Sequence, residues 1–94
     1  MSDQETITEE KVEIEESTGN PNVVIVHNDD YNTFDHVINC LISICKMDKQ
    51  TAEEKTLSIH FKGKAIVAEG DDSYLKKIKL RLKAEGLSVT MERA

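Results

Sequence analysis

Apolar residues recur along the chain with two periods, one typical of strands and one typical of helices. Val23 to His27 is a β-branched, nearly all apolar run that fits the central strand of a sheet. Steps of three and four residues then predict a first helix capped by Thr33, with a buried stripe of Phe34, Val37, Ile38, Leu41, Ile42 and Cys45. A second helix is predicted to begin after Asp48, its N-cap, and to end near Phe61, before Lys62-Gly63.

The C-terminal part of the chain predicts a strand, a helix and a strand. Lys64 to Glu69 alternates as a strand does, and Gly70-Asp71-Asp72 makes a turn into a third helix. That helix ends at Gly86, which supplies a left-handed stop, and its inward residues are Leu75, Ile78 and Leu82. A last strand alternates through Leu87, Val89 and Met91. The order β-α-α-β-α-β predicts an α+β fold, a three-stranded antiparallel sheet with three helices packed on one face.

Charge separates an N-terminal arm from the rest of the chain. Residues 1–20 hold seven acidic side chains and one basic side chain, which accounts for the whole formal charge of −6. With few large apolar residues, this arm cannot bury enough surface to offset the entropy lost on ordering. We therefore predict a disordered acidic extension over residues 1–21 and a folded core over 22–94. A neutral core with an acidic arm argues against nucleic acid as a partner.

The cysteines and the hydropathy pattern indicate the compartment. Cys40 and Cys45 are five residues apart, so on a helix they point about 140° away from each other and should not form a disulfide. Two thiols on an apolar stripe are typical of a reducing compartment. No apolar run approaches the roughly 18 residues of a membrane span, and the acidic N-terminus does not fit a signal peptide. We expect a cytoplasmic protein without a membrane partner.

The corner between the first strand and the first helix carries the strongest signal for a ligand site. Asn28-Asp29-Asp30 places an amide and two adjacent carboxylates there. Neighbouring carboxylates repel each other unless a cation shares the site, which favours a small cationic ligand. The alternative is structural, with Asn28 and Asp29 in an Asx-type turn while Asp30 or Thr33 caps the helix. Local chemistry leaves both interpretations open.

His60 is a second component that the fold could bring to this corner. It lies at the end of the second helix, and if that helix packs beside the first strand, its imidazole can share a proton donor with Asn28 and a carboxylate. The alternative role of His60 is to compensate the helix dipole at a helix C-terminus.

Metal binding and catalysis receive little support from residue spacing. The three histidines and two cysteines form no CxxC or HxxxH motif. His36 falls on the polar side of the first helix, whereas Cys40 and Cys45 lie on or near its apolar side. We therefore expect no metal and no cofactor. A catalytic Cys–His pair is equally unsupported, because a buried thiol is inert unless its pKa is lowered.

Five segments taken together form a larger pattern. They are Asn28-Asp29-Asp30-Tyr31, Thr33-Phe34, Met47-Asp48 followed by Ala52, His60-Phe61-Lys62-Gly63-Lys64-Ala65, and Met91-Glu92-Arg93-Ala94. In this order and spacing they resemble ClpS, the adaptor family of the ATP-dependent Clp protease. The family fold, a small α/β sandwich like the C-terminal domain of the ribosomal stalk protein, agrees with the element order predicted above.

The resemblance implies a non-catalytic receptor for protein N-termini. Family members capture substrates of the N-end rule pathway, whose first residue is bulky and apolar, and deliver them to the Clp unfoldase for degradation. Carried onto this chain, the substrate's α-amino group is surrounded by Asn28, Asp29, Asp30 and His60. A hydrophobic pocket for the first side chain is implied at Asn32, Phe34, Val37, Thr56, Ile59 and Leu87.

Two pocket positions depart from the family pattern. Many family members carry methionine where this chain has Phe34 and Thr56, and the second methionine excludes β-branched first residues. Because Thr56 is smaller, we expect the pocket to admit Ile or Val first residues as well, unless the bulk of Phe34 refills the space.

The expected partners also follow from the resemblance. The core of family members docks on the N-terminal domain of a Clp AAA+ unfoldase of the ClpA or ClpC type, and a flexible N-terminal extension engages the unfoldase. We expect the chain to act as a monomer. The alternative belongs to a different class, a structural interaction domain of the ribosomal-stalk type that has no site for N-termini.

Overall fold

The computed structural model of the chain describes residues 22–93. Its elements are β1 (Asn22–His27), α1 (Phe34–Ser43), α2 (Lys49–Lys62), β2 (Lys64–Gly70), α3 (Asp72–Ala84) and β3 (Ser88–Arg93). The predicted order β-α-α-β-α-β is therefore confirmed, whereas the predicted extension over residues 1–21 lies outside the described residues. Within 22–93, no helix is both long enough and apolar enough to cross a membrane.

β1 is the central strand of a three-stranded sheet, with β2 and β3 antiparallel on either side of it. Its four apolar residues, Val23 to Val26, are all 5% exposed or less. Alternate residues of a strand point to opposite faces. Val24 and Val26 join the main core, and Val23 and Ile25 are buried on the other face. Burial on both faces explains why β1 is a continuous apolar run. The element order and the sheet together confirm the predicted α+β fold.

The helices cover the core face of the sheet and bury the largest side chains there. Leu41, Leu75 and Leu82 are each 0% exposed, one from α1 and two from α3. The buried residues of α1 are Val37, Cys40 and Leu41, and Ile44 is buried at its C-cap. The predicted Ile38 and Ile42 pack against the core but are only partly buried. Phe34 is 42% exposed at the start of α1, and Cys45 lies beyond the end of this helix.

The helix ends are set by the residues that the sequence pattern identifies. Thr33 Oγ1 accepts a hydrogen bond from the main-chain N–H of His36, and Asp48 Oδ1 accepts one from that of Thr51. Both side chains satisfy N–H groups that have no partner within the first turn of a helix. α2 ends at Gly63, whose φ of 92° is easily reached only by glycine. This stop fixes which residues occupy the last turn of α2.

Candidate functional site

The last turn of α2 is attached to the corner that follows β1. The main-chain N–H of Asn28 donates to the carbonyl oxygen of Gly63 at 2.8 Å. Directly after this glycine, Lys64 begins β2 and pairs with His27 at the end of β1. The tight reversal between α2 and β2 therefore places His60, one turn before Gly63, beside Asn28-Asp29-Asp30.

Asp29 holds the corner in shape. Its Oδ1 accepts hydrogen bonds from the main-chain N–H groups of Tyr31 and Asn32, each at 2.9 Å. Its Oδ2 accepts from Asn32 Nδ2 at 2.8 Å and from Ser88 Oγ at 3.3 Å. Burial raises the pKa of this carboxyl, but the hydrogen bonds outweigh that effect and leave the pKa below its usual value of 3.8. The Asx-type turn is thus present at Asp29.

Asn32 connects this turn to the loop between α3 and β3. The Nδ2 atom that donates to Asp29 also donates to the main-chain oxygen of Gly86 at 3.0 Å. Leu87 follows directly and is 5% exposed. The corner and the loop before β3 are therefore fixed relative to each other by the two donor hydrogens of a single amide.

A cavity of about 200 Å³ lies between these segments. It is smaller than the roughly 300–1,000 Å³ of sites for drug-sized molecules, and it suits one amino-acid side chain with its amino group. The structure brings all ten of the predicted site residues to its lining: Asn28, Asp29, Asp30, Asn32, Phe34, Val37, Thr56, Ile59, His60 and Leu87.

The cavity lining combines polar and apolar side chains. Its polar members include Asn28, His60 and two carboxylates, Asp29 and Asp30, and the described lining contains no Lys or Arg. Both carboxylate oxygens of Asp29 accept two hydrogen bonds each, whereas the Asp30 carboxylate accepts none from the residues between 22 and 93. This arrangement favours a small cation with several N–H donors.

The His60 ring is held in place by two aromatic neighbours. Its centroid lies 5.4 Å from that of Phe34 at an interplanar angle of 75°, and 4.9 Å from that of Phe61 at 78°. Both are edge-to-face contacts, the arrangement that aromatic pairs prefer. Phe34 therefore lines the cavity and also orients the His60 imidazole, a second lining residue.

Thr56 presents no free hydroxyl donor to the cavity. It is 3% exposed, and its Oγ1 donates to the main-chain oxygen of Ala52, one turn earlier in α2, at 2.8 Å. The polar atom is thus satisfied within the helix. What Thr56 adds to the lining is a small side chain whose hydroxyl donor is already used.

Three lining residues were missing from the sequence prediction. They are Val26, His27 and Thr33, at the end of β1 and at the cap of α1. Each is adjacent in sequence to a predicted element end, so the signal available was their position beside the corner. His27 Nε2 lies 2.8 Å from Thr90 Oγ1, which attaches this residue to β3.

The structure contradicts the expected separation of His36 from Cys40. The two residues are one helical turn apart on α1, and Cys40 Sγ lies 3.6 Å from His36 Nε2. A carboxylate oxygen of Glu85 joins them, so that the three potential ligand atoms lie within 4.8 Å of one another. The spacing His-x₃-Cys, which places both side chains on adjacent turns, was the signal that could have identified this cluster. Neither His36 nor Cys40 lines the cavity.

The family model and the curated relatives that match this chain carry the same description. The family model of ClpS, described as ATP-dependent Clp protease adaptor protein ClpS, matches residues 17–90. The chain is 36% identical over 91 residues to the ATP-dependent Clp protease adapter protein ClpS of Nostoc, covering 95% of this chain and 94% of that protein. It is 43% identical over 67 residues to the protein of the same description from Synechocystis, covering 70% and 68%.

A solved structure is similar in fold. It is the structure of Agrobacterium tumefaciens ClpS2 bound to L-phenylalaninamide, which superposes with a TM-score of 0.69 at 20% identity. The match covers 82% of this chain and 100% of that chain.

Proposed function

Because the chain belongs to the ClpS family of ATP-dependent Clp protease adaptors, we propose that its cavity binds the free α-amino group and the bulky apolar first residue of protein substrates. Adaptors of this family are not enzymes, and they interact with components of the Clp protease and with its substrates. The proposal concerns which part of a substrate this chain recognises, and through which residues.

The chemistry of a protein N-terminus matches the polar residues of the cavity lining. A free α-amine has a reference pKa near 8, so it is mostly cationic at pH 7, and nearby carboxylates favour that form further. Its three N–H donors require three acceptors. The Asn28 side-chain oxygen, the Asp30 carboxylate and an imidazole nitrogen of His60 supply them. Asp29 contributes its negative charge and holds the corner, since its own oxygens are already hydrogen bonded.

One observation carries the proposal. Two carboxylates, the amide of Asn28 and the imidazole of His60 line the same small cavity as apolar residues, with no Lys or Arg among the described lining residues. These apolar residues include Phe34, Val37, Ile59 and Leu87. A structural cap at the corner requires neither a cavity nor an imidazole beside it, so this arrangement favours a receptor over a scaffold of the ribosomal-stalk type. The ClpS2 structure supports the proposal further, because L-phenylalaninamide carries a free α-amine and an apolar side chain.

Calorimetric titration with two peptides that differ only at the first residue tests the function. Burying a Leu side chain contributes about 1.5–3 kcal/mol, which corresponds to about a 10- to 150-fold difference in affinity from a polar residue of little apolar area. We expect a Leu-initiated peptide to bind with one site and the Ser-initiated peptide to bind more than tenfold more weakly. Equal affinity for the two peptides would contradict recognition of the first side chain by the cavity.

The same titration tests whether Thr56 allows the cavity to bind β-branched first residues. Because this side chain is small and its hydroxyl is bonded to Ala52, we expect an Ile-initiated peptide to bind within about tenfold of the Leu-initiated one. Thr56→Met adds bulk at this point of the lining and should weaken Ile more than Leu. The variant Leu57→Met, one position along α2 and 45% exposed outside the cavity lining, is the matched control. A loss of more than tenfold for Ile in the unmodified chain contradicts this prediction.

We further propose that the partner is the N-terminal domain of a Clp AAA+ unfoldase of the ClpA or ClpC type, and that the acidic N-terminal residues act in delivery. Among residues 22–93, those that line the cavity lie between 26 and 87. Deleting residues 1–18 should therefore leave peptide affinity unchanged but slow the degradation of a Leu-initiated substrate by the unfoldase and its protease. Weakened peptide binding in the deletion variant would show that these residues belong to the binding site instead.

A further inference from the structure

The cluster of His36, Cys40 and Glu85 is separate from the cavity and has the composition of a metal site. His36 and Cys40 come from successive turns of α1, and Glu85 stands at the C-terminal end of α3. The ligand atoms are an imidazole nitrogen, a thiol sulfur and a carboxylate oxygen, all within 4.8 Å of one another. These are the three donor types that zinc uses in proteins.

The distances fit tetrahedral coordination. With Zn–S of about 2.3 Å and Zn–N of about 2.0 Å, two ligands at the tetrahedral angle are separated by about 3.5 Å. Cys40 Sγ and His36 Nε2 are 3.6 Å apart, so these two atoms already have the required spacing. The third ligand can adjust, because the Glu85 side chain is exposed while its main chain is fixed by hydrogen bonds from its N–H to the end of α3.

We propose that His36, Cys40 and Glu85 bind one zinc ion, with water in the fourth position. On binding, the Sγ–H bond of Cys40 breaks, an Sγ–Zn bond forms, and the proton is released to solvent. Nε2 of His36 presents its lone pair to the metal, which requires the ring proton to be on Nδ1. The hydrogen bond between this nitrogen and the main-chain oxygen of Glu85, 2.8 Å long in the metal-free protein, is lost.

The negative charge of Glu85 would attract a cation to the cluster. Burial, and after it the negative charge of Glu85, raises the pKa of the Cys40 thiol. A divalent cation bound between the Cys40 sulfur and the Glu85 carboxylate would attract both groups. Cys45 offers a contrast: its pKa is raised to about 11, mainly by burial, and it is not part of the His36 cluster.

A bound zinc ion would connect α1 to the segment between α3 and β3. Glu85 is followed by Gly86, whose oxygen accepts from Asn32, and by Leu87, which lines the cavity. The metal would therefore hold the wall of the cavity against the first helix. Because it binds the folded chain, it should also raise the midpoint of thermal unfolding.

Titration of the full-length chain with Co²⁺ under reducing conditions tests the site, since a thiolate-to-cobalt charge-transfer band reports coordination by cysteine. We expect one Co²⁺ per chain, displaced by Zn²⁺. The band should disappear in Cys40→Ser, and affinity should fall more than tenfold in His36→Gln and in Glu85→Gln. Cys45→Ser, which removes the other thiol, should bind as the unmodified chain does. Zn²⁺ should raise the unfolding midpoint only in the proteins that bind Co²⁺.

Several outcomes would overturn the proposal. They are the absence of a charge-transfer band in the unmodified chain, a band that depends on Cys45, and an affinity that is unchanged in His36→Gln or Glu85→Gln. The Glu85 variant changes an exposed side chain and retains both α1 residues, so it tests the site even if substitutions in α1 impair folding. Since none of these readouts involves a peptide, the result is independent of the proposed function.

Discussion

Asn28→Ala and His60→Ala are each expected to lower the affinity for a Leu-initiated peptide by about 10- to 150-fold. This range corresponds to about 1.5–3 kcal/mol, the contribution of one hydrogen bond to a charged group. Neither substitution should unfold the protein. The hydrogen bond from Asn28 to Gly63 uses the main-chain N–H, which alanine retains, and the His60 side chain is exposed.

Asn39→Ala is the control for this prediction, because it removes an exposed amide of α1 that does not line the cavity. Its peptide affinity should equal that of the unmodified chain. Isothermal titration gives the affinities, and circular dichroism confirms that each variant is folded. If both cavity variants are folded and bind the peptide normally, the corner is only a structural turn and the scaffold alternative is favoured.

The adjacent aspartates at the corner should respond differently to the same change. Asp29→Asn replaces an acceptor of four hydrogen bonds by an amide whose NH₂ group faces other donors. We expect its free energy of unfolding to fall by about 1–3 kcal/mol. Asp30→Asn should leave stability within about 0.5 kcal/mol, as is usual for surface substitutions, and weaken peptide binding by about tenfold. Urea unfolding and calorimetry measure the two effects.

The stability difference between the unmodified chain and Asp29→Asn should depend on pH. The folded-state pKa of Asp29 lies below its usual value of 3.8, so folding favours the ionised carboxylate. Its contribution is therefore fully present above pH 3.8 and is lost as the pH falls through the folded-state pKa. Comparing the two proteins cancels the effect of Asp48, whose pKa is also lowered. A difference that stays constant well below pH 3.8 contradicts this role for Asp29.

The elements and their ends could be predicted from sequence because the signals are local. Thr33 and Asp48 are side-chain caps, and Gly63 is a residue that adopts positive φ without strain. The central position of β1 could also be predicted, because a continuously apolar strand is typical of one that is buried on both faces. The irregular pairing of β1 with β2 was not, because the register shifts between Val24 and Ile25 without any glycine or proline to indicate it.

The site depends on contacts between residues that are far apart in the sequence, and such contacts are harder to predict from local sequence signals. The approach of His60 to Asn28 was one of two roles that the element order allowed for this residue, and the family resemblance favoured it. The hydrogen bond from Asn28 to Gly63 gives its physical basis. The partnership of Asp29 with Ser88, 59 residues away, has no local signal. His36 and Cys40 were assigned to different sides of α1 by hydropathy, although a spacing of four residues brings their side chains together.

Calorimetry with a Leu-initiated peptide and its N-acetylated twin tests the central claim most directly. Acetylation removes the positive charge and leaves one N–H donor, while the side chain that enters the pocket is unchanged. We predict one-to-one binding of the free peptide and no measurable binding of the acetylated one. Equal affinity for the two peptides would contradict the recognition of an α-amino group by Asn28, Asp30 and His60.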